Sequence, residues 1–381
     1  MFYDVIVKEL KNKPIIIYGA GDNGIYTYDY LKSINANIEC FCDKDLNKCG
    51  LLIKGIICKK FDELNDYMDK CIIVTPRCNN AQIVFDIKKY GFKYVVSWEE
   101  MQFLFHHQNR ITSESDLVLE GYLKKNEKFK NMYVGKRCFI VGTGPSINEQ
   151  NLACLKNEIV FTVNNAFKID NFECINTNFH IYIDSLYFQE DQNENNNLMR
   201  VERMKKIGNK AQCFFPYSKS INFVKKYNLE KVLNINFIEE NVNICLSENT
   251  MDFQREVALS GTVIITAIML AIYMGFSEIY LVGCDCTDIL TTIGAKIENA
   301  SMTEYAFKND NFEQKHLQET LGKRSLESIY HIQYIKFKNF RILNEICNNK
   351  HIKLFNCTKG GILDCLERKQ LEEIINEELI G

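Results

Sequence analysis

The chain of 381 residues lacks an excess of either charge. Its 46 Lys and Arg stand against 49 Asp and Glu, a formal net charge of -3, so there is no basic stripe of the kind that neutralises nucleic-acid phosphates. It also lacks a long apolar run: the longest, Val263 to Phe276, is too short to cross a bilayer and reads as a buried core helix. No signal-peptide pattern opens it, since Met1 leads into Phe2-Tyr3-Asp4-Val5 with charges soon after. Sixteen cysteines are present, yet none forms a Cys-x-x-Cys pair, which removes the usual zinc or redox framework. Cys40-x-Cys42 and Cys284-x-Cys286 have strand spacing, and core packing of reduced thiols accounts for them. Together these absences predict a cytoplasmic chain without a transmembrane segment and without a nucleic-acid partner, at most peripheral to the inner face of the membrane.

What is present is an alternation of apolar strands, glycine turns and helical periods, long enough for two domains. Pro14 to Tyr18 is a strand running into Gly19-Ala20-Gly21-Asp22-Asn23-Gly24. A helix through Tyr30-Leu31 follows, and then a strand over 38–42 that ends on Asp43. Gly-x-Gly-x-x-Gly with an acid about 20 residues on is the pattern of a mononucleotide-binding βαβ unit. Its candidate cofactor-binding residues are Gly19, Gly21, Gly24 and Asp43, for a nucleotide or nucleotide-sugar; a Rossmann-like domain kept for assembly is the alternative. Strands at 70–75 and 94–97 complete a small sheet. This gives a first domain over 1–100, a polar connector over 101–130, and a second domain over 131–381.

The second domain opens on the stretch Arg137-Cys138-Phe139-Ile140-Val141 followed by Gly142-Thr143-Gly144-Pro145-Ser146. Such a turn invites close approach of a ligand, since glycines hold nothing back, backbone N–H groups face a helix start and Ser146 offers a hydroxyl; an ordinary tight strand-to-helix turn is the alternative. A helix-like segment is expected next. A strand over 159–163 then ends on Asn164, and another over 179–183 ends on Asp184. The polar run Gln189 to Asn197 reads as a mobile surface loop. Ser260-Gly261-Thr262 begins the apolar helix, where an anion could sit. The strand Glu278 to Val282 exits into Gly283-Cys284-Asp285. Thr143, Asn164, Asp184, Ser260 and Asp285 thus fall at strand ends or adjacent helix starts, where open parallel sheets bind ligands. Asp285 and Asp288 are an Asp-x-x-Asp pair with no third ligand, so no metal is expected. His331, with Phe337, Phe340 and Leu343 behind it, has a side chain suited to a general base at neutral pH, a structural histidine being the alternative. An acidic amphipathic helix from Leu366 to Leu379 closes the chain as a packing or homo-oligomer contact.

These motifs, in this order, resemble the bacterial sialyltransferases that use CMP-activated sialic acid. They equally resemble the group holding the flagellin-modifying motility accessory factors and the archaeal hydroxymethylpterin pyrophosphokinases. The likeness runs over roughly 135–365. Gly142-Thr143-Gly144-Pro145-Ser146 is similar to the family's nucleotide-holding turn, Asn164 to its nucleotide-binding asparagine, and Ser260-Gly261-Thr262 with the strand to Asp285 to its helix and strand. Tyr305 in Glu304-Tyr305-Ala306-Phe307 resembles a tyrosine that touches the donor phosphate, and His331 the general-base histidine. Arg255 lies near the family's site arginine but is displaced by an insertion. Thr143 replaces the usual Asn, and Thr287 stands where a second tyrosine is usual.

The resemblance implies an α/β protein of two Rossmann-like parallel-sheet domains, the second a sialyltransferase-like variant of the GT-A class. It implies a metal-independent, inverting glycosyltransferase, with a CMP-sugar donor as substrate, no other cofactor, and a glycan or glycoprotein acceptor. His331, Tyr305 and Arg255 would be catalytic, and Gly142 to Ser146, Asn164, Asp184, Ser260 to Thr262 and Asp285 substrate-binding. The alternatives are a magnesium-dependent pyrophosphokinase, and a non-catalytic scaffold.

Overall fold

The structure, a computed structural model, describes residues 10, 12–76, 80–98, 100–101, 114–208, 210–241, 244, 246–290, 306 and 325–380. The chain divides into two compact units, one of residues 1–117 with 243–245, the other of 118–242 with 246–381.

The first unit is α/β. Its elements are β1 (Ile15–Tyr18), α1 (Asp22–Ser33), β2 (Ile38–Cys42), β3 (Leu52–Ile53), β4 (Ile56–Lys59), β5 (Cys71–Val74), α2 (Asn80–Tyr90) and β6 (Tyr94–Val96). The sheet order is β3-β4-β2-β1-β5-β6. Every pairing is parallel except the β3–β4 hairpin. The sequence pattern did not anticipate that hairpin, which turns on Lys54 and Gly55, both at positive φ, as a two-residue loop of the twist-matched kind requires. Strands buried on both faces read as continuous apolar runs, and Ile15-Ile16-Ile17 is fully buried in this way. Chain order reverses between β1 and β5, so a crevice opens at their carboxyl ends.

The second unit carries α3 (Glu114–Lys124), β7 (Arg137–Val141), β8 (Val160–Val163), β9 (Thr177–Ile181), α4 (Glu194–Lys205), β10 (Gln212–Pro216), α5 (Tyr217–Lys226) and β11 (Asn234–Ile238). After them come β12 (Glu240–Asn241), β13 (Val257–Ala258), α6 (Val263–Tyr273), β14 (Glu278–Val282), α7 (Leu326–Asn349), β15 (Lys353–Asn356), β16 (Glu367–Arg368) and α8 (Leu371–Ile380). Eight strands form one sheet in the order β11-β10-β9-β8-β7-β14-β15-β16, all parallel. The chain builds outward from β7 to β11, then returns to β14 on the other side of β7. That reversal opens a crevice at the carboxyl ends of β7 and β14, the kind of position at which open parallel sheets bind ligands.

α6 is buried nearly all round, as its apolar sequence requires. Part of the stretch read as a connector packs within this unit: Asn126 is fully buried and donates to the carbonyls of Phe237 and Phe253 (2.8 and 2.9 Å). The polar run from Gln189 is also more ordered than its composition suggests. Asn193 caps α4, and buried Asn197 exchanges hydrogen bonds with the Asp191 backbone (2.8 and 2.9 Å). Polar side chains closing their own backbone turn replaced the apolar period that would have revealed it. Among the described residues no helix is long and apolar enough to cross a membrane.

Candidate functional site

β7 exits into Gly142-Thr143-Gly144-Pro145-Ser146, and β14 exits beside it into Gly283-Cys284-Asp285. The two exits are laced together. Gly142 N–H donates to Val282 O (2.8 Å) and Gly144 N–H to Gly283 O (2.9 Å). Ser146 N–H donates to Asp285 Oδ1 (3.3 Å) and its hydroxyl to Oδ2 (2.8 Å). A Cβ on Gly142 would lie 2.4 Å from Gly283 O, and one on Gly144 would lie 1.9 Å from Asp285 Oδ2. The glycines of this turn therefore admit the neighbouring strand's exit. The Gly142, Gly144 and Ser146 amides, expected to face an anion, are directed into the protein. Pro145 begins a short 3-10 turn (Pro145–Glu149) rather than the expected helix, so no helix start of useful length lies here. The Thr143 carbonyl accepts from Ala306 N (2.9 Å), and Asn148 Nδ2 donates to Ala306 O (2.8 Å), which anchors residue 306 over the turn.

A longer helix, α6, begins after Ser260-Gly261-Thr262. Thr262 is its N-cap, with no side-chain cap bond, and Gly261 before it has φ of +81°. Ser260 does not reach outward: its hydroxyl donates to Glu240 Oε1 (2.6 Å), which also accepts from Thr266 (2.9 Å). Asn339 of α7 donates to the carbonyls of Leu259 and Ser260 (3.2 and 2.9 Å), fixing the turn that aims the α6 amides.

At the other strand ends, Asn164 follows β8 in the left-handed region (φ 50°), tolerable for asparagine. Its Oδ1 is buried without a partner among the described residues, which is costly unless a ligand donates to it. Asp184 caps the Ser185–Tyr187 turn, accepting from Leu186 N (2.9 Å). Between these strands His180 is fully buried, 2.7 Å from Thr162 Oγ1, and burial pushes its pKa down to about 3. Arg255 N–H donates to Asp252 O (3.1 Å) just before β13.

His331 is exposed in the second turn of α7, which starts at Leu326 with Ser325 as cap. The buried stripe of that helix runs through Ile329, Gln333, Lys336, Phe340 and Leu343, while Phe337 is half-buried. Gln333 and Lys336 donate to Asp288 Oδ2 and Oδ1 (2.7 and 2.6 Å). The sequence signal for these two was their phase: polar residues at core positions of an apolar stripe. Tyr305 lies outside the described residues.

Burial pushes the Asp285 carboxyl up, opposed by its bonds from Ser146. Both oxygens of Asp285 thus face protein donors, and both of Asp288 face Gln333 and the Lys336 ammonium. The Lys336 ammonium already neutralises Asp288 and would repel a divalent cation there, so the pair offers no pre-formed metal site. Among the described residues no group of three or more His, Cys, Asp or Glu side chains is placed to hold one.

In the first unit, Gly19 N–H donates to Cys42 O (2.7 Å), and Gly24 packs against the Gly19 carbonyl. Asp43 accepts from Ala20 N (2.8 Å), Asp45 N (2.9 Å) and Lys48 Nζ (3.1 Å). Gly19, Gly21, Gly24 and Asp43 line one open cleft of about 750 Å³.

No curated protein matches the chain. Residues 117–289, from α3 to the exit of β14, match the family model described as 6-hydroxymethylpterin diphosphokinase MptE-like, a match that stops short of α7 with His331 and Lys336.

Proposed function

We propose that the second unit is a nucleotide-dependent transferase that moves a sialic-acid-like sugar from a CMP donor to a hydroxyl of a bacterial surface glycan or protein. The observation that carries this reading is the condition of the two carboxylates at the β14 exit. Asp285 is engaged by Ser146, and Asp288 by Gln333 and Lys336. The donor phosphate is then met by the uncapped start of α6, where amides and helix dipole favour an anion. The unpartnered Asn164 Oδ1 is available to a hydroxyl or amine of the nucleotide.

In the transfer, the acceptor oxygen attacks the anomeric carbon while the bond to the donor phosphate oxygen breaks. CMP leaves with that electron pair, and the acceptor proton passes to His331, so configuration inverts. His331→Ala is expected to lower turnover by about 10²–10⁴-fold with CMP affinity unchanged. Unchanged turnover, or joint loss of turnover and affinity, contradicts the assignment of His331.

The family match favours a second reading on the same site, diphosphoryl transfer from ATP to a hydroxymethyl group. That chemistry needs a divalent cation to shield triphosphate charge, so it would stop in EDTA. Transfer from a CMP donor would continue.

A further inference from the structure

Three glycines punctuate the turn from β1 into α1, and the fold uses two of them. A Cβ on Gly19 would lie 2.6 Å from Thr75 Oγ1, at a φ of +102° that L residues rarely adopt. A Cβ on Gly24 would lie 1.9 Å from the Gly19 carbonyl oxygen. Gly21 is different. Its φ of -99° and ψ of -166° are extended values open to any residue, and a Cβ there meets no atom of the described residues within 4 Å. Among the described residues no contact requires glycine at 21, beyond the mild preference for glycine at a helix N-cap. The missing side chain keeps open the cleft lined by Tyr18, Gly21, Asn23, Asp43, Lys48 and Thr75.

The same cleft offers the two groups a nucleotide needs. Gly21 is the N-cap of the twelve-residue α1 and supplies no side-chain cap, so the first-turn amides remain for a phosphate brought up to Gly21. At the end of β2, Asp43 already accepts three hydrogen bonds. A carboxylate has about four acceptor sites, which leaves one for a ribose hydroxyl. Lys48 holds the Asp43 charge (3.1 Å), so the carboxylate does not repel an anionic ligand as a bare one would.

We infer that the first unit binds a nucleoside diphosphate in this cleft, phosphates beside Gly21 and ribose at Asp43. Dinucleotide sites use two mononucleotide-binding halves. Here the described sheet continues past β1 with β5 and β6 alone, which suits one nucleotide. This site is separate from the transferase site proposed for the second unit and does not depend on it.

The test is calorimetric titration of the full chain with ADP, UDP and NAD, wild type against Gly21→Val. The expected result is binding of ADP or UDP that weakens at least ten-fold in Gly21→Val, with the Tm of the unliganded protein lowered by no more than the few degrees a changed N-cap costs. NAD is expected to bind no more tightly than ADP. The inference is overturned if neither diphosphate binds, or if Gly21→Val binds as wild type does. A fall in the Tm of unliganded Gly21→Val larger than that would also overturn it, since the glycine would then serve the fold beyond its cap. NAD binding ten-fold tighter than ADP would overturn the single-nucleotide assignment. CMP, titrated in parallel, is expected to bind Gly21→Val as it binds wild type; loss of CMP binding alone would bear on the second unit's reading.

Discussion

Gly144 and Gly21 occupy turns of similar written form, yet a methyl group has opposite consequences at the two. At 144 it would occupy the place of Asp285 Oδ2, 1.9 Å away, so Gly144→Ala is expected to cost about 1–3 kcal/mol or more. Gly21→Ala, which changes only a helix N-cap, is expected to cost about 1 kcal/mol or less. Denaturant midpoints of the two variants decide this. Lys336 and Asp288 are equally asymmetric. The lysine side chain is 6% exposed and the aspartate 47%. Lys336→Met leaves a carboxylate that reaches water, whereas Asp288→Asn leaves a buried ammonium without its counter-charge. Asp288→Asn should therefore destabilise the protein more than Lys336→Met, and equal losses in a denaturation series would contradict the burial argument.

His180 supplies a pH signature. Its folded pKa, about 3, lies below the usual 6.5, so the unfolded chain takes up a proton that the folded chain refuses. The stability from the neutral buried ring is full above about pH 6.5 and declines as pH falls toward 3, by about 1.4 kcal/mol per unit. Thr162→Val combined with His180→Leu should flatten the stability profile between about pH 6.5 and 5. A slope unchanged in that variant would place its origin elsewhere.

Among the elements, the apolar run of α6 and the strand ends were legible because burial on all sides leaves a continuous apolar pattern. The partnerships at those ends were not. Gly142-Thr143-Gly144-Pro145-Ser146 reads in sequence as a phosphate turn, and no local feature revealed that β14, more than a hundred residues on, would occupy its amides and the space its glycines leave. Gln333, Lys336 and Asn339 likewise gained meaning only when α7 was laid against α6. Asn339→Ala is expected to release the Leu259 and Ser260 carbonyls at a cost of about 1–3 kcal/mol. It should speed amide exchange at the first turn of α6 and weaken CMP binding. Unchanged CMP affinity would separate that turn from the donor site.

Over the whole molecule, the α/β character with parallel-strand sheets was readable from two glycine turns, each at the head of a strand series. The hairpin of β3 and β4 and the fold of 189–197 were not, because two-residue strands and polar, self-bonded turns carry no periodic apolar signal. The family match at 117–289 and the resemblance in the motifs point to two chemistries on one sheet, and they diverge on whether a cation must accompany the nucleotide. Calorimetric titration of the full Gly21→Val chain, in which the inferred first-unit nucleotide site is closed, with CMP and with ATP, each in EDTA and in excess magnesium, measures that for the second unit. CMP binding of equal strength in both conditions, with no magnesium-dependent ATP binding, is the expected result. ATP binding that appears only with magnesium, with CMP silent, would contradict the glycosyl-transfer account and establish the diphosphoryl one in its place.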